Sequence, residues 1–159
     1  MSVAFTKEED SESAAAALPD RPISPHPNLV THDGLAQLEA ALAAAKAAYA
    51  SAQTQGGISS DRTAMARATR DLRYFSARRA SAQLIEAPPK PERVTFGVTV
   101  TLERDDGQAQ TYRIVGEDEA DPAHGSVSYI SPLAKAVLGK EVGDLAVVGG
   151  RELEVTSIA

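Results

Sequence analysis

The chain has no cysteine and no tryptophan, and only three phenylalanines and four tyrosines. Without cysteine there is no disulfide, no thiolate metal site and no thiol nucleophile. No stretch is long or apolar enough to span a bilayer. The opening residues Met1-Ser2-Val3-Ala4-Phe5-Thr6-Lys7-Glu8-Glu9-Asp10 lack the apolar core of a secretory signal, so a cytoplasmic protein is expected. The three histidines, His26, His32 and His124, are scattered without metal-ligand spacing. No glycine-rich phosphate loop follows a strand pattern, and Ser128 and Ser131 have neither a nearby histidine nor a strained elbow. The chain is read as a non-enzyme with no cofactor and no bound metal.

Charge is present but unevenly placed. The net charge of −6 argues against general binding to a nucleic-acid backbone. Yet between positions 62 and 79 there are six arginines (62, 67, 70, 73, 78 and 79) and one acid, Asp71, whereas from Arg93 onward six basic residues face eleven acidic ones. A basic rod joined to an acidic globule is a polarised molecule. The face carrying Arg62, Arg67, Arg70 and Arg73 reads either as solvated helix surface or as one that approaches RNA.

Periodicity divides the chain. Residues 1–30 hold an acidic run, an alanine patch and prolines at 19, 22, 25 and 27. Such a segment buries too little apolar surface to offset its ordering entropy, so a disordered leader is expected. A helix should start near Thr31–Gly34, capped by Thr31 or Asp33. Leu35, Leu38, Leu42, Ala45, Tyr49 and Ala52 then recur at coiled-coil spacing. Gly56-Gly57 ends that helix. A second runs from about 60 to 84, its seam Met65, Ala68, Leu72, Phe75 and Ala82 interrupted by Arg79. Two helices of similar length joined by a short glycine turn predict an antiparallel hairpin over residues 31–87. Pro88, Pro89 and Pro91 make 88–92 a stiff linker.

Residues 93–159 read as a small antiparallel sheet with one short helix, which makes the whole chain α+β. Val94, Phe96, Val98, Val100 and Leu102 alternate with polar or small residues. Asp105-Asp106-Gly107 and Gly149-Gly150 are hairpin turns. Ser131 is placed to cap a helix, Pro132 suits its first position, and Gly139 can close it.

Three motifs here carry a resemblance. Val94-Thr95-Phe96-Gly97-Val98-Thr99-Val100, the run Tyr112-Arg113-Ile114-Val115-Gly116-Glu117-Asp118-Glu119-Ala120-Asp121, and Ser131-Pro132-Leu133-Ala134-Lys135 through Gly139-Lys140-Glu141-Val142-Gly143-Asp144 resemble, in order, the carboxy-terminal domain of the Gre family, the transcript-cleavage factors of bacterial RNA polymerase. The resemblance implies an FKBP-like fold for this domain and docking at the rim of the polymerase secondary channel. By resemblance the contact surface is Asp118, Glu119, Asp121, Ser131, Pro132 and Lys135, the protein works as a monomer, and its arginine face lies near RNA. Prolyl isomerase activity, which the fold brings to mind, lacks an aromatic lining: only Phe96, Tyr112 and Tyr129 fall in this domain.

The tip departs from the family. There the hairpin end reads Gly-Asp-x-x-Glu-Asn, and its acids help hold a second Mg²⁺, which prefers hard oxygen ligands. Here the window is Gly56-Gly57-Ile58-Ser59-Ser60-Asp61, with Gly57 and Ser60 at the acidic positions. Asp61 alone remains as a tip carboxylate, and an Asp at a helix start is more commonly a cap or dipole partner. The arms also look shorter by one to two turns each, on the order of 10 Å of reach. The expectation is a channel-binding elongation regulator of the short-hairpin, Rnk-like type that does not stimulate cleavage. The alternative is a cleavage-stimulating factor that uses Asp61. A coiled-coil interaction protein unrelated to the polymerase is a third class, opposed by the three motifs.

Overall fold

The structure, a computed structural model, describes residues 18–54 and 59–159, the side chains of the second stretch from 62 onward. The described residues divide into two compact units, one of residues 18–27, 38–54 and 59–81, the other of Asn28–Gln37 and Ala82–Ala159.

The first unit is a helical hairpin of α1 (His32–Thr54) and α2 (Ser59–Ser81), the first six residues of α1 being counted with the second unit. Leu38, Ala45 and Ala52 of α1 and Ala68 of α2 are buried, while Leu42, Tyr49, Met65, Leu72 and Phe75 are half-buried. Small residues at the buried positions let the two backbones approach, which leaves a thin seam. Glu39 near the start of α1 pairs with Arg79 near the end of α2 at 3.0 Å, as an antiparallel arrangement requires. The turn expected at Gly56-Gly57 lies outside the described residues. The arginine taken into the interior is Arg78, 2% exposed, and not Arg79, where the spacing placed the interruption.

Within the segment expected to be a leader, Asp20 and Arg21 contact α2, and Leu29–Val30 pair with Gln83–Leu84 in the second unit. The Arg21 guanidinium lies 3.8 Å from the Tyr74 ring centroid and 5.1 Å from that of Phe75. It also pairs with Asp71 at 3.5 Å, while Asp20 pairs with Arg73 at 3.2 Å. A cation over aromatic faces, with two ion pairs, supplies the attraction that apolar burial does not, and prolines at 19 and 22 lower the entropy to be lost.

The second unit holds a five-stranded sheet of β3 (Thr99–Arg104), β4 (Ala109–Val115), β5 (Ser126–Ser128), β6 (Leu145–Val148) and β7 (Arg151–Ile158), in the order β5-β4-β3-β7-β6. Ahead of it in sequence, β1 (Leu29–Val30) pairs with β2 (Gln83–Leu84) as a separate two-stranded sheet. The larger sheet is antiparallel except at its β4–β5 edge, which is parallel. A 3₁₀ turn, Pro122–His124, supplies the connection between those two strands. One face packs a core of Val94, Val98, Val100, Leu102, Ile114, Val127, Ala146 and Val155 against Ala134 and Val137 of α3 (Pro132–Val137).

The inward alternation of Val94 through Leu102 holds throughout, although β3 begins only at Thr99. The stretch before it is irregular, with Gly97 at φ +86° donating to the Ile114 carbonyl at 2.7 Å. Burial periodicity survives there because Val94 is held from both sides: its N–H donates to Lys140 and its carbonyl accepts from Gly139. Gly149 and Gly150, at φ +59° and +80°, make the two-residue β6–β7 turn, a type I′ geometry that needs positive φ at both central residues.

Candidate docking surface and arginine face

The first group of candidate residues sits on α3. Its amino end is capped by Ser131, whose hydroxyl accepts from the Ala134 N–H at 3.2 Å. Pro132 takes the first helical position, where no N–H is needed. Ala134 and Val137 face the core, and Leu133, Ala136 and Leu138 are half-buried against it. That leaves Pro132 and Lys135, three residues apart, on the exposed face.

The second group follows β4. Gly116 begins a turn closed by the Ala120 N–H donating to its carbonyl at 3.1 Å. Asp118 and Asp121 point outward and are exposed. Asp121 pairs with His124 at 2.6 Å, and its backbone bridges to Ser126 at the start of β5. Ser131 reaches the end of the same strand, its N–H donating to the Ser128 carbonyl. Three residues of strand therefore separate the two groups, on the order of 7–10 Å.

Glu119 behaves differently from its neighbours. Its side chain is only 9% exposed. It accepts from the Thr31 hydroxyl and lies 3.8 Å from the Arg113 guanidinium, which itself pairs with Asp33 at 2.9 Å. Thr31, not Asp33, is the cap of α1: its hydroxyl accepts from the Gly34 N–H at 3.0 Å. Gly116 belongs to the same joint, since a Cβ there would stand 2.2 Å from the Leu29 carbonyl oxygen. The run from Arg113 to Glu119 thus does two jobs. Arg113, Gly116 and Glu119 receive residues 29–34, and Asp118 and Asp121 face outward. Thr31 was expected only as a cap and Arg113 was not among the candidate site residues, although Arg113 lies inside the motif that carried the resemblance.

On the hairpin, Ser60 and Asp61 fall in the first turn of α2, while Gly56 and Gly57 lie outside the described residues. Arg62, Arg67 and Arg73 are exposed and Arg70 is half-buried. Arg62, Arg70 and Arg73 line an open cleft of about 330 Å³ with Met65, Ala66, Thr69, Leu18 and Asp20. Among the described residues no helix is long and apolar enough to cross a membrane.

Residues 88–159 match the family described as transcription elongation factor, GreA/GreB, C-term. The chain is 47% identical over 75 residues to transcription elongation factor GreA of Desulfovibrio desulfuricans, covering 46% of each protein. It is 39% identical over 95 residues to GreB of Neisseria meningitidis serogroup B, covering 56% of this chain and 58% of that one. The chain spans about half the length of the curated relatives it matches. A crystal structure of GreA factor homolog 1 of Thermus thermophilus aligns over 84% of this chain and 99% of that one, at 23% identity and a TM-score of 0.41.

Proposed function

We propose a function for a chain whose C-terminal unit belongs to the GreA/GreB family of transcription elongation factors: it is a cytoplasmic, monomeric regulator of elongation that docks on bacterial RNA polymerase at the rim of the secondary channel. The observation that carries this reading is the match of residues 88–159. The docking surface we assign is the exposed set Asp118, Asp121, Pro132 and Lys135, with Ser131 holding α3 in place and Glu119 holding the joint behind it.

The hairpin then enters the channel without a metal-binding tip. The family's acids hold Mg²⁺, and the donors at this tip do not fit that task. Gly57 has no side chain, Ser60 offers only a neutral hydroxyl, and Asp61 is a single carboxylate in the first turn of a helix. The protein is itself no enzyme, carries no cofactor and does not stimulate cleavage; it occupies the channel and competes with factors that do. The basic face of α2, Arg62, Arg67, Arg70 and Arg73, lies toward RNA phosphates in that complex. Asp61 favours the second reading, a cleavage stimulator. Retention by immobilised core polymerase, followed by transcript cleavage in backtracked complexes, tests both: no retention removes the docking reading, and cleavage replaces the first reading with the second.

A further inference from the structure

We propose that residues 18–23 are an internal competitor for the arginine face of α2, a strap that takes the place of RNA and must lift before that face binds. The inference rests on the reading of this face as RNA-facing.

The strap follows the helix. Leu18 lies in the cleft with Arg62, Met65, Ala66 and Thr69, and Ile23 reaches Tyr74 and Ala77. Extended chain from 18 to 23 and helix from 66 to 77 each span about 17 Å, so the two run side by side without slack.

What the strap offers resembles a nucleotide strand in chemistry. The Asp20 carboxylate sits 3.2 Å from Arg73, where a phosphate oxygen would be drawn. The flat Arg21 guanidinium covers Tyr74 beside Phe75, rings 5.2 Å apart that would otherwise present a face for a base. Met65 and Ala66 give the cleft apolar lining, and Arg62, Arg70 and Arg73 line it with cations. One donor there is left over. Arg70 Nε is buried with no hydrogen-bond partner, its 3.7 Å separation from Asp71 being too long for one. Asp20 answers Arg73, and a phosphodiester strand would also bring an oxygen acceptor to the Arg70 Nε.

The strap is also held shallowly enough to leave. The Asp20 and Arg73 side chains are 62% and 68% exposed. Exposed ion pairs are weak and screened by salt. A face populated in its open form only part of the time binds with an affinity reduced by that fraction.

The test uses the full chain and a fluorescein-labelled oligouridylate, read by anisotropy at one fixed low salt concentration. Asp20→Asn with Arg21→Gln loosens the strap at constant net charge and should bind about tenfold tighter than the native chain. Ile23→Cys with Ala77→Cys, in a protein with no other cysteine, should bind about tenfold weaker oxidised than reduced. Arg62→Gln, Arg70→Gln and Arg73→Gln together should abolish the gain. Equal affinity of native, loosened and locked proteins, with binding still lost in the arginine variant, overturns the strap and leaves the arginine face standing. No binding by any of them, the loosened protein included, removes the arginine-face reading and the strap with it.

Discussion

Thr31 and Glu119 are joined by one hydroxyl that does two things at once: it donates to the Glu119 carboxylate and accepts from the Gly34 N–H that opens α1. A helix cap is thereby tied to a turn 88 residues further along the chain. Thr31→Ala should remove the cap and leave a largely buried carboxylate short of a donor, at a cost of about 2–3 kcal/mol. Thr31→Ser keeps the hydroxyl and should cost less than about 1 kcal/mol. Urea unfolding of the full chain reads both, and equal losses would contradict the double role.

Gly34 supplies a test with a change of sign. A Cβ there would lie 2.7 Å from Glu119 Oε1. Alanine in a helix interior normally gains up to about 1 kcal/mol over glycine. In the native background Gly34→Ala should destabilise, because Glu119 is held by Thr31 and cannot swing aside freely. With Glu119→Ala already in place it should stabilise. A double-mutant cycle with no coupling would show that the two positions do not meet.

Gly116 meets backbone, which cannot yield as a side chain does. Its added Cβ would fall 2.2 Å from the Leu29 carbonyl oxygen. Gly116→Ala should cost about 3 kcal/mol and pull β1 off β2. The Gln83 and Ile85 amides, which donate to Asn28 and Val30 at 2.8 and 3.0 Å, should lose protection from hydrogen exchange ahead of the core amides of Ile114 and Val155.

These joints explain what the sequence could and could not reveal. Local chemistry was legible: Ser131-Pro132 opens α3, Gly149-Gly150 turns the β6–β7 hairpin, and the Val94–Leu102 alternation marks the core even where no strand forms. Long-range pairing was not. Leu29–Val30 is too short to show a period, and its partner lies more than fifty residues away. Nothing local separates Glu119, turned inward, from Asp118 beside it, turned outward. The burial of Arg78 in place of Arg79 is not explained by helical drift, since about 20° per heptad over two heptads falls well short of the roughly 100° between neighbouring residues.

The docking surface gives a prediction that the inward turn of Glu119 sharpens. Asp118→Lys with Asp121→Lys should weaken polymerase binding at least about tenfold while leaving the urea midpoint nearly unchanged, since exposed ion pairs such as Asp121–His124 contribute at most about 1 kcal/mol. Glu119→Lys should instead lower stability, because it places a cation beside Arg113 and removes the acceptor of Thr31. Unchanged competition of the double variant against an active Gre factor would remove Asp118 and Asp121 from the surface.

Cleavage is where the tip decides. With Gly57 and Ser60 at the positions where the family places its acids, the purified protein should leave backtracked transcripts uncut and should slow cleavage by an active Gre factor through competition. Gly57→Asp with Ser60→Glu restores the donor types, yet short arms would hold them on the order of 10 Å from the reacting phosphate, so little activity should return. Robust cleavage by the unmodified chain that is lost in Asp61→Asn would make Asp61 a metal ligand and overturn the competitor reading. Cleavage that survives Asp61→Asn would place the working acids elsewhere on the hairpin, and the correspondence drawn for residues 56–61 would then be wrong.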